Sequence, residues 1–148
     1  MWALDIAPNG KFLSMGSLGV VADSMPGGPG WNSNYVTVPL SAGYAKTEFA
    51  DCNNGMVVGS SNITVTRDGG KTWIDRNRPD FAASFNSING FAYRNSNPAQ
   101  VYFGVSNGVV YYSSDTGITL DPILADPLIQ MNDVATVGKD SVWAIGYS

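Results

Sequence analysis

The chain has 148 residues, of which 44% are hydrophobic and 14% are charged, and its formal net charge is −4. This hydrophobic fraction excludes a disordered chain, and an acidic balance without a lysine or arginine cluster excludes a nucleic-acid partner. No apolar run approaches the ~20 residues of a membrane span, and the start lacks the basic region of a signal peptide. We therefore expect a soluble protein without a membrane partner, in a compartment that the sequence does not specify. Because the chain has no histidine and one cysteine, Cys52, we expect no metal and no cofactor.

Four similar units follow one another along the chain. In each, an apolar residue and an alanine precede a turn, an apolar strand and a glycine. The alanines recur about every 43 residues, at Ala7, Ala50, Ala92 and Ala135. The units span about 1–41, 42–84, 85–127 and, in part, 131–148. A period of roughly 40–50 residues built from short strands is typical of β-propeller blades.

Each complete unit predicts four antiparallel strands, which we name A to D from the inside of the propeller outward. The second unit is the clearest, with strands expected at about 45–51, 56–60, 63–67 and 72–76. The last unit predicts strands A and B alone. The fold class is therefore all-β, a single β-propeller segment over 1–148 with about three and a half blades.

The turn between strands C and D carries the strongest motif, Thr66-Arg67-Asp68-Gly69-Gly70-Lys71-Thr72-Trp73 (box 1). A second copy, Ser-Ser-Asp-Thr-Gly-Ile-Thr-Leu, occupies 113–120 (box 2), and a degenerate copy in the first unit has Pro26 in place of the aspartate. An aspartate here can accept backbone N–H groups of its own turn, while glycine tolerates positive φ. The residues with this structural role are Thr66, Asp68, Gly70 and Trp73 in box 1 and Ser113, Asp115, Gly117 and Leu120 in box 2.

These boxes resemble the Asp-box, or BNR-like repeat, of sialidase-like, xyloglucanase-like and sortilin-like β-propellers. The resemblance implies that the boxes lie on outer strands, so that Asp68 and Asp115 are structural rather than catalytic. It also implies that the loops from D to A and from B to C share one face. In this sequence those loops are residue 18 and 40–44, 60–62, 81–89, 106–107 and 121–131.

Two groups of residues are candidates for ligand contact. Asp5, Glu48 and Asp133 stand at matching starts of strand A, where similar propellers place ligand-facing groups, although three acids in equivalent positions are more simply explained as polar ends of inner strands. The second group belongs to the loop face, whose amides, hydroxyls and rings suit a glycan or a protein. Its members are Tyr44, Ser60, Asn62, Asn86 and Asn107.

A non-catalytic binding or assembly module is the predicted function. One alternative is a fragment of a xyloglucanase-like glycoside hydrolase, but no facing pair of acids can be identified. A sialidase would need converging arginines, whereas Arg67 lies in box 1 and the others lie on outer strands or loops. A third alternative is a structural or receptor-binding component of a larger assembly, such as a viral particle.

An open arc of blades would leave apolar faces and a strand edge uncovered, and closed propellers typically have four to eight blades. We therefore expect a ring closed by more polypeptide, either a continuation of this chain or other copies of it. Trp31, Trp73 and Trp143 are expected to pack between blades.

Overall fold

The computed structural model describes residues 3–15, 20–24, 31–35, 44–59, 62–76, 86–138 and 141–148. All regular structure within these residues is β-strand. The strands of the first two units are β1 Ala3–Ile6, β2 Phe12–Met15, β3 Val20–Ser24, β4 Trp31–Tyr35, β5 Tyr44–Phe49, β6 Gly55–Gly59, β7 Ile63–Thr66 and β8 Ile74–Asp75. Those that follow are β9 Ile88–Tyr93, β10 Val101–Val105, β11 Val109–Ser113, β12 Asp121–Ala125, β13 Gln130–Val137 and β14 Ser141–Tyr147.

The strands form antiparallel sheets in which sequence neighbours are also sheet neighbours. Three sheets have four strands each, β1 to β4 (blade 1), β5 to β8 (blade 2) and β9 to β12 (blade 3), and β13 pairs with β14 (the half-blade). The innermost strands contact one another in series, β1 with β5, β5 with β9 and β9 with β13. The predicted all-β architecture of four-stranded antiparallel blades is confirmed.

The main hydrophobic core lies between blades 2 and 3. Phe91 is fully buried there, with its ring centroid 6.3 Å from that of Phe103 and 5.6 Å from that of Tyr93. Strand β6 is buried on both of its faces, which explains why its sequence is a continuous apolar run rather than an alternating one. A second core joins blade 3 to the half-blade through Ala92, Val110, Met131 and Val134.

Box 1 is held together by the side chain of Asp68. Its carboxylate accepts hydrogen bonds from the Thr72 N–H at 2.9 Å, the Thr72 hydroxyl at 2.6 Å and the Thr66 hydroxyl at 2.9 Å. The Thr66 oxygen in turn accepts the Gly70 N–H at 2.9 Å, and the Trp73 indole donates to the Gly70 carbonyl at 3.1 Å. The positive φ of 86° at Gly70 lets the chain turn back within this network.

Box 2 repeats the network with Asp115. Its carboxylate accepts the Thr119 N–H and the Thr119 hydroxyl, and the Ser113 hydroxyl bridges Asp115 to the Gly117 N–H. A Cβ on Gly117 would lie 3.0 Å from the Ile63 side chain, so this turn is packed onto the core between blades 2 and 3. Leu120 is partly buried against the same core.

Replacing Asp68 with alanine is expected to lower the free energy of unfolding by about 1–2 kcal/mol, because the turn N–H and hydroxyl groups lose their acceptor. Partial burial opposes the ionisation of this carboxyl, yet the bonds from Thr72 and Thr66 hold its pKa at about 2, below its usual 3.8. Its stabilising contribution is therefore complete above about pH 4 and is lost as the pH falls towards about 2. Urea titrations of the parent chain and the Asp68→Ala variant at several pH values measure this difference in stability. A difference that persists unchanged at pH 2 would contradict the assigned role.

Several sequence expectations differ from the structure, and one is that Gln130 and Met131, expected in a loop, belong to β13. Residues 121–125, expected in a loop, form the outer strand β12, which pairs with β11 and accommodates Pro122 because an outer strand has a free edge. Ile88 and Asn89, also expected in a loop, begin β9. Trp143 is 67% exposed rather than packed between blades. The degenerate turn at Pro26 lies outside the described residues.

Candidate functional site

Two acids of the inner strands, Glu48 and Asp133, lie beside one amine, that of Lys46. Its Nζ lies 2.8 Å from Asp133 Oδ1 and 3.9 Å from Glu48 Oε2. The same Nζ stands 5.9 Å above the centroid of the Phe91 ring. Three innermost strands, β5, β9 and β13, thus contribute to one charged cluster.

Two of the acids connect consecutive blades. Asp5 Oδ2 accepts the Phe49 N–H of blade 2 at 2.7 Å, and the Glu48 carboxylate accepts the backbone N–H of Tyr93 in blade 3. An innermost strand has one edge without a neighbouring strand, so its N–H groups need other acceptors. The repeated acids supply these acceptors, which is a structural task.

Blade 3 has a glycine, Gly90, where blades 1 and 2 carry acids. A Cβ on Gly90 would lie 2.7 Å from the Cα of Asp133, so the missing side chain lets β13 approach β9 closely. Two side-chain bonds reinforce this approach, from Asn89 Nδ2 to the Met131 carbonyl at 2.7 Å and from the Thr136 hydroxyl to the Tyr93 carbonyl at 2.8 Å.

The surroundings of Glu48 raise the pKa of its carboxyl, and burial is the largest cause. Burial raises its pKa, the Lys46 amine and the Tyr93 N–H lower it, and the charges of Asp5 and Asp133 raise it, so the pKa stands above its usual 4.5. Burial and the neighbouring Glu48 also raise the pKa of the Tyr93 phenol. An acid whose pKa is higher in the folded than in the unfolded state stabilises the fold at pH values below the unfolded pKa. This contribution is lost as the pH rises through the folded pKa.

Between pH 4 and pH 8, the melting temperature of a Glu48→Gln variant relative to the parent chain is therefore expected to rise once the pH exceeds about 4.5, until the parent carboxyl is fully ionised. The amide keeps an oxygen that accepts the Tyr93 N–H but carries no buried charge. Thermal melts across this pH range measure the difference, with Asp121→Asn, on the exposed outer strand β12, as the control. A difference that shrinks with rising pH would contradict the assignment.

The two candidate groups do not form one site. Asp5 and Glu48 are next to last in β1 and β5 rather than at the starts of these strands, which corrects the expectation from the sequence. Tyr44 begins β5, and four residues of extended chain separate it from Glu48 by roughly 13 Å. The repeat alignment fixed equivalent positions but not the strand ends, so it misplaced the acids along the strand.

The loop face is best described at blade 3, where the D-to-A and B-to-C loops are bonded together. The Ser87 and Ser106 segments exchange two hydrogen bonds, each of 2.9 Å. The Asp126 N–H donates to the Gly108 carbonyl at 2.9 Å, and the Asp126 carboxylate accepts the Leu128 N–H at 3.0 Å. These bonds present the Leu128 side chain, which is 79% exposed, on a fixed backbone.

The remaining predicted loop residues differ in accessibility. Asn62 is 7% exposed, which makes it a buried rather than a contact residue. Asn107 accepts the Val109 N–H with its side-chain oxygen at 3.2 Å and so stabilises its own turn. Asn86 is half-buried, whereas Ser60 and the side chain of Tyr44 lie outside the described residues.

Lys46 and Leu128 were missed by the sequence reasoning. Lys46 is two residues from Glu48 on one strand, so the two-residue period of a strand would have placed both on one face. Leu128 had no signal beyond its apolar character within a polar loop. In the part of the chain that the structure describes, no group of three or more acid or cysteine side chains could hold a metal ion, and no helix could cross a membrane.

Neither a protein-family model nor a curated protein matches the chain. Among solved structures it is similar to YCF48 from Cyanidioschyzon merolae, with a TM-score of 0.73 and 14% identity over 98% of this chain and 47% of that chain. A structure of YCF48 bound to D1 peptide gives a TM-score of 0.60 and 22% identity over 73% of this chain and 36% of that one. Raptor from Chaetomium thermophilum gives a TM-score of 0.70 and 12% identity over 98% of this chain and 14% of that chain. The chain spans less than half the length of these structures, and the likeness to them identifies its fold as a β-propeller.

Proposed function

We propose that the chain is a non-catalytic β-propeller module that binds a protein partner at its loop face. The observation that carries this proposal is the exposure of Leu128 on a backbone fixed by hydrogen bonds. An apolar side chain on a backbone that is already fixed loses less conformational entropy on binding than one on a free loop, and polar groups on the adjoining loops can complete the contact. Asn86, Ser87, Ser106 and Asn107 are such groups on the adjoining loops.

The similar fold of YCF48, described as bound to D1 peptide, supports a peptide as the ligand class. A glycan remains the other candidate ligand for the same face, because amide and hydroxyl groups also bind sugars. The acid cluster does not favour a glycoside hydrolase. Each of its three carboxylates already accepts a hydrogen bond or ion pair from the protein, and Lys46 occupies the space between two of them.

We further infer that the blades belong to the Asp-box type, because boxes 1 and 2 share one hydrogen-bond network around an aspartate. The chain then forms one propeller segment, with blades at about 1–41, 42–84 and 85–127 and a half-blade at 131–148. More polypeptide closes its ring, and the module serves as a binding or assembly component of a larger structure.

The test is a selection of displayed random peptides against the immobilised chain, with a glycan array as a parallel arm. Leu128→Ser should lower the affinity for the selected peptides about tenfold, as measured by calorimetry, which corresponds to ~1.4 kcal/mol of binding free energy. Ile118→Ser is the matched control, because Ile118 is also an exposed apolar residue but lies in box 2. Peptides that bind both variants equally would contradict the loop-face site, and binding of glycans alone would contradict a protein partner.

A further inference from the structure

The loop face carries a short turn that combines an apolar residue with an acidic one. Residues 126–129 form a β-turn, because the Ile129 N–H donates to the Asp126 carbonyl at 3.2 Å. Pro127 restricts φ at the second position of this turn, and the Asp126 carboxylate accepts the Leu128 N–H at 3.0 Å. The turn therefore holds a carboxylate beside the backbone of the exposed Leu128.

The Asp126 carboxylate has spare capacity for a ligand. Its Oδ1 atom accepts the Leu128 N–H, whereas a carboxylate has about four lone-pair sites in all. Among the residues that the structure describes, the salt bridges join Lys46 to Glu48 and Asp133, and none reaches Asp126. An incoming cation can therefore pair with this carboxylate without breaking a bond within the chain.

The loops of this face carry no positive charge. The chain has eight lysine and arginine residues, and none of them falls in the loops assigned to the loop face. Arg67 and Lys71 instead belong to box 1, and Lys11 and Arg94 lie between strands A and B of their blades, at the opposite strand ends. An acidic ligand would therefore find no cation on the loop face, whereas a basic ligand would meet the complementary charge of Asp126.

We propose that the loop face binds a basic peptide segment of its protein partner. An apolar side chain of this segment packs on Leu128, and a lysine or arginine a few residues away pairs with Asp126. The apolar contact gives most of the affinity, because an exposed ion pair contributes little, while the ion pair selects the charge of the ligand. This inference rests on the proposed function and adds the chemical class of the ligand.

The variant Asp126→Asn isolates the charge. Asparagine keeps a side-chain oxygen for the Leu128 N–H, so the turn is retained while the negative charge is lost. Displayed random peptides are selected in parallel on the parent chain and on this variant. We expect enrichment of lysine and arginine over the unselected library on the parent chain and not on the variant. The control is Asp121→Asn, which removes the same charge from the start of β12 and should select peptides as the parent chain does.

Calorimetry with synthetic peptides measures the ion pair directly. Asp126→Asn should lower the affinity for a selected basic peptide about threefold, the effect of one exposed ion pair. The affinity for the same peptide with its basic residue replaced by glutamine should not change. The difference between the parent chain and the variant should disappear in roughly 1 M salt, where such charges are screened. Equal losses with both peptides at either salt concentration would overturn the pairing and show that Asp126 acts through the turn alone.

The outcomes separate this inference from the proposed function. Peptides that depend on Leu128 but carry no excess of basic residues would overturn the inference and leave the loop-face site intact. An excess of acidic residues in these peptides would overturn it in the same way. If no selected peptide lost affinity for Leu128→Ser, both the inference and the loop-face site would be wrong. Thermal melts check that each aspartate variant is folded.

Discussion

Replacing Gly108 with alanine is expected to lower the free energy of unfolding by about 3 kcal/mol or more. The left-handed backbone costs roughly 1–2 kcal/mol for a residue with a Cβ, and a forced displacement of packed atoms adds about 1–3 kcal/mol. Gly108 has a φ of 80°, and its Cβ would overlap the Asp126 carbonyl and lie 2.5 Å from the Ile129 carbonyl. Urea denaturation measures the loss.

Gly138→Ala is the matched control for this prediction. Gly138 has a φ of 63°, yet nothing lies within 4 Å of its Cβ position, so the substitution carries the backbone cost alone. We expect it to cost about 1–2 kcal/mol. Equal losses for the two variants would show that the packing of the B-to-C turn against residues 126–129 is unimportant. Because this packing positions the backbone of Leu128, Gly108→Ala should also lower the affinity for the peptides selected at the loop face.

Replacing Phe91 with alanine is expected to cost about 3–5 kcal/mol, the usual range for a buried phenylalanine. The ring is fully buried between Phe103 and Tyr93, and it also carries the Lys46 amine on one side. Its removal therefore leaves a cavity between blades 2 and 3 and removes the aromatic ring that lies beside the Lys46 amine. For a domain of this size the melting temperature should fall by roughly 10 °C.

Phe91→Leu separates the two contributions, because it keeps most of the apolar volume and removes the aromatic face. We expect a clearly smaller loss of stability than for alanine. If both variants lost the same amount, the contact with Lys46 rather than the filled volume would be the main contribution of Phe91. Thermal melts of the parent chain and both variants at one protein concentration make the comparison.

The acid cluster shows why a repeated residue need not be a ligand residue. Asp5 and Glu48 recur because every innermost strand has a free edge whose N–H groups need an acceptor. Gly90 interrupts the series because β13 approaches it too closely for a side chain. A series read from sequence alone shows that these positions are equivalent, but it does not distinguish a row of binding groups from a row of links between blades.

The sequence by itself determined the fold, because the turns, the strands and the repeat all depend on local chemistry. The two boxes are self-contained turns, since Asp68 and Asp115 bond to groups within four residues, and the strands between them follow from short apolar runs. The repeat period then gave the number of blades. Local propensity did not determine the strand ends. Residues 121–125 form β12 because they pair with β11.

Only the tertiary structure decided what the side chains face. Lys46 meets Asp133 across 87 residues of sequence, and no local pattern predicts such a contact. Ile6 and Phe49 are equivalent apolar residues of two inner strands, yet one is 53% exposed and the other 8%. The physical reason is that burial depends on the neighbouring blade, which covers Phe49 and is not present beside Ile6. The exposure of Leu128 on its hydrogen-bonded backbone is likewise a tertiary feature, and it defines the surface that we propose for a partner.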